Sequence, residues 1–268
     1  PISFDDNFYF SFEILDKIKV MNVFEKSPNF ALQSLFENDE TIDYKAANIG
    51  QINYEEIKNQ QLLVLDGLSD ISSGFQQSIG SFVENGGSIA IFPSNDINFK
   101  DYNSLCKLLK IDEYISKDTV KQKVNKISYQ HKIFDGVFEK EEKKINLPIV
   151  NTHYKISDKN SSNKQTIFSL ETEDDFINHY TFSSGDIYLF TSSLNDASCN
   201  LGKHALFVPL MYNIALMSYK NIRLYYNISE NNYFDAPKSE IKENIYHLKS
   251  TKVDIIPSER FVGGEWKL

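Results

Sequence analysis

Residues 61–96 read QLLVLDGLSDISSGFQQSIGSFVENGGSIAIFPSND, and this stretch decides the fold. Gln61–Gly67 is a continuous apolar run closing on Asp66-Gly67, the pattern of a strand buried on both faces. Ser72–Asn85 carries Phe75, Ile79, Phe82 and Val83 at steps of four, three and one, which sets them on one face of a helix. Ser73 with Gln76 fits a capping box at its start, and Gly86 fits the left-handed position past its end. Ser88–Pro93 is a second buried strand. Strand, helix and strand in this order predict a parallel pair with a right-handed crossover.

The same alternation extends outward. Before it, Phe8–Ile14 alternates aromatic and polar residues as a strand does, and Ile18–Phe24 is a short apolar run. Asn29–Phe36 has a helical tendency, Thr41–Ile49 fits a strand and Tyr54–Asn59 a helical turn. After it come a helix at Asp101–Lys110 and strand-like runs at Ile145–Val150, Gln165–Leu170, Phe176–Phe182 and Gly185–Ser192. Ser183–Asp186 is a turn between the last two. A helix over about Gly202–Ser218 contains Pro209, so it starts near Val208 or kinks. The tail from Asn221 offers strand candidates, Ile222–Ile228 and Asn244–Leu248, and no long helix. The expected fold is α/β, a doubly wound and mostly parallel sheet with a β-rich C-terminal appendage. The expected organisation is a strand segment at 1–14, an α/β domain at 15–220 and the appendage at 221–268.

A chain of 268 residues with 41% hydrophobic and 24% charged residues can bury a sizeable core. Its net charge of −9, without a basic stripe, argues against a nucleic-acid partner. The lysine-rich stretch Lys107–Lys126 and the run EKEEKK at 139–144 read as solvated faces. The two cysteines, Cys106 and Cys199, are expected as free thiols on different elements, with Cys106 a small core residue. No apolar run approaches the ~20 residues of a membrane span. The chain opens at Pro1 without methionine, and it reads as a segment of a longer protein.

Motifs for catalysis are missing. An α/β hydrolase raises its serine on a tight G-x-S-x-G turn; here Ser94 follows Pro93 with no flanking glycine. An amidotransferase needs a cysteine at that elbow and an activating histidine, and neither cysteine follows a core strand in that way. Cys199 and His204 lie five apart, but nothing orients the histidine or supplies an oxyanion hole. No H-x-x-x-H, C-x-x-C or EF-hand pattern offers a metal site, and no phosphate cradle or cofactor fingerprint occurs. Gly86-Gly87 precedes a strand, whereas a dinucleotide fingerprint follows one.

What remains is geometry. Ligands of open α/β sheets bind beyond the carboxyl ends of the strands. Those ends carry Asp66, Gly67 and Ser69; Ser94, Asn95 and Asp96; and Ser193, Asn195 and Asp196, with His204 downstream. If the three strands are neighbours, these residues line one crevice. They also suit ordinary loop starts and helix caps.

Residues 62–93, together with HKIFDGVFEK, SSLNDASCNLGKHALFVPLMYNIAL and IIPSERFVGGEW, resemble the Bacteroidetes membrane proteins that begin with an aerotolerance-regulator (BatA-type) domain. The likeness runs from about Pro1 to Arg260. The same skeleton resembles the class I glutamine-amidotransferase-like superfamily, with a flavodoxin-like sheet, including its ThuA-like branch. There a strand, a helix ending in Gly-Gly and a further strand lead to the elbow. The position of the amidotransferase cysteine falls in Phe92–Asn95, which has none. The resemblance therefore implies the fold and not the activity. It also implies a membrane-anchored parent, a periplasm-facing domain, and partners among other proteins of a membrane complex. The leading expectation is a non-catalytic domain that binds a protein or a small ligand. The alternative is a hydrolase or sugar-related enzyme with a site rebuilt from Asp66, Ser94, Asp96, Asn195 and Asp196, with His204.

Overall fold

The computed structural model describes residues 17–138, 146–159, 161–220, 247–249, 253–257, 260–262 and 265–267. The chain divides into two units, Leu15–Lys220 on the one hand, and Pro1–Ile14 with Asn221–Leu268 on the other. The strand expectations at Phe8–Ile14 and Ile222–Ile228 lie outside the described residues.

The larger unit begins with β1 (Ile18–Phe24), α1 (Phe30–Phe36), β2 (Ile42–Asn48), α2 (Tyr54–Ile57), β3 (Leu62–Leu68), α3 (Ser73–Glu84), β4 (Ser88–Pro93) and α4 (Phe99–Leu109). It continues with β5 (Tyr114–Asp118), β6 (Gln122–Ile127), β7 (Ile149–Val150), β8 (His153–Ile156), β9 (Lys164–Leu170), β10 (Asp175–Phe182), β11 (Gly185–Phe190) and α5 (Phe207–Ser218). Its main sheet has the order β2-β1-β3-β4-β11-β10-β9-β6-β7. The first five strands are parallel and the rest antiparallel. β5 and β8 form a separate antiparallel pair. In the second unit, β12 (Leu248–Lys249) pairs with β13 (Asp254–Ile255), and β14 (Arg260–Val262) with β15 (Glu265–Lys267).

Alternation along the central strands splits the core into two layers, because successive side chains leave opposite faces of a sheet. Leu62, Val64, Ala90, Phe92 and Phe190 face Leu32 and Phe36 of α1 and Leu210 and Ile214 of α5. Leu63, Leu65, Ile89, Ile91 and Leu189 face Phe75 and Ile79 of α3 and Leu105 and Cys106 of α4. β4 is buried at every position, and the Phe92 and Phe190 rings stack at 3.9 Å between centroids. No described helix is long and apolar enough to cross a membrane.

Local details correct two sequence expectations and decide a third, the start of the helix near Val208. The N-cap of α3 is Ser72, not Ser73: extended at ψ 150°, it accepts the Phe75 amide at 3.3 Å. Gln76 does not close a capping box, since its amide donates to the Ile71 carbonyl at 2.7 Å. α5 starts at Phe207, so Pro209 sits in its first turn, where a missing N–H costs nothing, and His204 precedes the helix. Finally, β5, β6 and β8 occupy stretches without a strand expectation, two of them in or overlapping the lysine-rich segment. Gly86 does take a positive φ of 97°. At Gly185 a β-carbon would lie 2.3 Å from the Val83 carbonyl oxygen, so only glycine lets the β10–β11 hairpin close against α3.

Candidate functional site

The order β3-β4-β11 makes the three strand ends neighbours, as the crevice requires. Two side-chain bridges join the loops beyond them. The Asn29 amide at the α1 N-cap donates to the Leu194 carbonyl at 3.0 Å, and its backbone N–H donates to Asp66 at 2.7 Å. The Ser198 hydroxyl donates to the Asn95 side-chain oxygen.

The carboxylates of this edge do not converge on shared partners. Asp96 is almost wholly exposed and pairs with Lys117 at 3.1 Å, while the exposed Asp196 pairs with Lys203. Asp66 turns inward at the end of β3, where Gly67 takes φ 65° and the register with β4 slips. The Ser69 amide is occupied by the Glu25 carboxylate at 3.0 Å. At the elbow, the Tyr154 hydroxyl donates to the Ser94 carbonyl at 3.1 Å and also to the Asn95 carbonyl, which Lys117 reaches at 2.6 Å. The Ser193 hydroxyl accepts from Asn195, whose side-chain oxygen in turn accepts the Ser198 amide at 2.9 Å. His204 accepts the Leu206 amide through Nδ1, and burial lowers its pKa.

Cys199 does not act as a thiolate partner for His204. It is buried, it donates to the Ser193 carbonyl at 3.2 Å, and burial raises its pKa. Cys106 is likewise a buried free thiol with a raised pKa, chiefly from burial. Both thiols are held in the form that is a poor nucleophile.

One polar cluster at this edge was not anticipated. Asn22 of β1 is fully buried, and its amide nitrogen donates to the Tyr44 hydroxyl at 3.1 Å and to Asp66 at 3.2 Å. Its side-chain oxygen has no hydrogen-bond partner among the described residues. Burial raises the pKa of Asp66 against the hydrogen bonds from Asn29 and Asn22. Burial also pushes Tyr44 up to about 12, with the Asp66 and Glu37 charges adding to it. The signal was an asparagine inside the apolar run IKVMNVF, because a buried amide must be offset by hydrogen-bond partners.

A second cluster lies at the opposite, amino-terminal end of β11. The Ile133 amide donates to His131 Nδ1 at 3.2 Å. His131 Nε2 therefore carries the proton and donates to His179 Nδ1 at 3.0 Å. His179 Nε2 then donates to Asp186 at 2.7 Å, and Lys220 pairs with the same carboxylate. Burial alone would raise the Asp186 pKa, but His179 and Lys220 hold it well below the usual carboxylate range. Every ring nitrogen is spent within the chain of bonds, so neither imidazole keeps a lone pair for general-base work.

No protein-family model matches the chain, and no curated protein matches its sequence. Among solved structures, a cytoplasmic protein of Salmonella typhimurium LT2 matches with TM-score 0.57 and 14% identity, over 76% of this chain and 100% of that one. A protein of Bacteroides uniformis described as ThuA-like matches with TM-score 0.51 and 11% identity, over 79% of this chain and 93% of that one. The fold is amidotransferase-like. A β-galactosidase of Bacillus circulans sp. alkalophilus shares it across 31% of its own length, with TM-score 0.51 and 10% identity over 75% of this chain. At such identities the likeness fixes architecture and carries no chemistry.

Proposed function

We propose that this chain is a non-catalytic, extracytoplasmic domain of a BatA-type bacterial membrane protein, one that binds a partner protein of a membrane complex or a small ligand. The observation that carries the non-catalytic reading is the elbow itself. Phe92–Asn95, the stretch that by resemblance corresponds to the amidotransferase cysteine position, has no cysteine, and the Ser94 and Asn95 carbonyls are tied down by Tyr154. Both thiols are buried elsewhere. The phrases HKIFDGVFEK and IIPSERFVGGEW support the BatA-type assignment and, through it, the periplasmic face of the inner membrane.

The alternative, an enzyme with a rebuilt site, has one observation in its favour. Asp66 is a carboxyl group with a raised pKa at a strand end, beside Tyr44 and the unpaired Asn22 oxygen. Two measurements decide between the readings. Purified protein is assayed for hydrolysis of glutamine, activated esters and aryl glycosides, and the non-catalytic reading expects no turnover. Turnover that Asp66→Asn abolishes sinks it. For location, protease is added outside spheroplasts expressing the membrane-anchored parent. The domain should be cleaved, and protection until lysis overturns the extracytoplasmic assignment.

A further inference from the structure

Away from the strand-end crevice, three residues distant in sequence meet where the two sheets of the larger unit adjoin. Asp118 ends β5 and His153 begins β8, and the antiparallel register sets them directly opposite each other on one face. Asp174 comes from the β9–β10 turn of the main sheet. One ligating atom from each lies within 4.8 Å of the other two. The His153 side chain is fully buried, and its Nε2 meets Asp174 at 3.2 Å. Nε2 is therefore the ring nitrogen turned toward the carboxylates, while the buried Nδ1 has no hydrogen-bond partner among the described residues. The carboxylates stay reachable, with side-chain exposures of 19% for Asp118 and 25% for Asp174.

The cluster already attracts a cation. Lys155, two residues along β8 and therefore on the same face as His153, brings its ammonium to 3.5 Å from Asp118 and 3.8 Å from Asp174. Those distances are long for charge-assisted hydrogen bonds, and the lysine side chain is 44% exposed and free to swing out. The Asp118 carboxylate is preorganised by the Val120 amide at 2.8 Å, and that of Asp174 by the Thr172 hydroxyl at 2.9 Å. Supporting bonds of this kind orient metal ligands.

We propose that Asp118, His153 and Asp174 form a binding site for a divalent transition-metal ion of the Zn²⁺ class, which displaces the Lys155 ammonium on entry. One imidazole nitrogen and two carboxylates suit such an ion, and the imidazole disfavours Mg²⁺ and Ca²⁺, which take oxygen ligands. Three protein ligands leave a coordination position for water or for a donor from a bound partner. The ion would also brace the β5–β8 pair against the main sheet, so binding should raise the melting temperature.

The test uses the whole chain, stripped with chelator and titrated with ZnCl₂ by calorimetry and thermal melts, with MgCl₂ as control. One saturable Zn²⁺ site and a matching rise in melting temperature are expected, without a Mg²⁺ response. Asp118→Asn should weaken binding at least tenfold with an unchanged circular-dichroism spectrum. Lys155→Met should tighten it about tenfold by removing the competing charge. His153→Gln should abolish it, but that ring is buried, so the two more exposed variants decide the outcome. His247→Ala, which removes the separate His247–Asp254 pair of the second unit, should change nothing. Failure of the wild type to take up Zn²⁺ overturns the proposal. So does uptake that Asp118→Asn and Lys155→Met both leave unchanged, or uptake lost only in His247→Ala.

Discussion

Replacing His131 with phenylalanine should flatten the acid dependence of stability. His131 is 4% exposed, and its pKa is lowered from 6.5 to about 4, first by burial and then by His179. A histidine depressed in the folded state binds its proton more readily when unfolded. Stability therefore falls as pH drops through 6.5 and goes on falling until about pH 4. The full effect is about 3 kcal/mol, at about 1.4 kcal/mol per pKa unit. Asp186 adds a separate loss at lower pH: its pKa is depressed in the fold, so its stabilisation is present above the ordinary carboxylate pKa and disappears below it. The assay is guanidinium unfolding followed by circular dichroism at pH 7.0, 6.0, 5.0 and 4.5. The wild type should lose about 2 kcal/mol across this range. His131→Phe should start lower by about 2 kcal/mol, because the Ile133 amide and His179 Nδ1 lose their partner. Its further loss on acidification should be much smaller than that of the wild type. His204, also lowered by burial, contributes with the same sign, so the difference between the two proteins is the quantity that matters. Parallel curves for wild type and variant would refute the reasoning.

Three further outcomes follow from the same structure. Asp66→Asn should be neutral or stabilising at pH 7, by up to about 1 kcal/mol, since burial disfavours the Asp66 charge and a carboxamide can donate to the orphaned Asn22 oxygen; a loss of more than about 2 kcal/mol in chemical melts would contradict this. Gly185→Ala should destabilise by roughly 3 kcal/mol or more, because the new methyl meets the Val83 and Gly87 carbonyl oxygens at 2.3 and 2.5 Å; an unchanged melting temperature would show that the hairpin can move away from α3. Cys106 and Cys199 should react with a disulfide reagent only as fast as the protein unfolds, since both are buried with raised pKa values; rapid labelling of the native protein would disprove that burial.

The legible parts of the fold were those whose signal is local. Ile18–Phe24, Gln61–Gly67 and Ser88–Pro93 are largely buried on both faces, so they read as mainly apolar runs and appear as β1, β3 and β4. β5 and β6 were hidden because each buries only part of one face. YISKD has one buried residue and QKVNKI has two, and their lysines read as a solvated surface. The strand-end residues were legible as a set, since polar loop starts follow apolar runs. Their pairing was not. Nothing in the sequence near Asp96 or Asp196 says that each meets a lysine, or that Asp66 turns inward to Asn22.

By itself the sequence determined the alternation of strands and helices, the parallel centre of the sheet and the absence of a cysteine from Phe92–Asn95. Each depends on residues within about one supersecondary unit of each other. Only the tertiary structure decided the rest: the Asn22–Tyr44–Asp66 cluster, the Ile133–His131–His179–Asp186–Lys220 chain and the meeting of Asp118, His153 and Asp174. Each group draws on elements far apart along the chain, which meet only because strand order and register bring them to one place. Strand order is set by how whole helices pack on the sheet, and no local spacing encodes it.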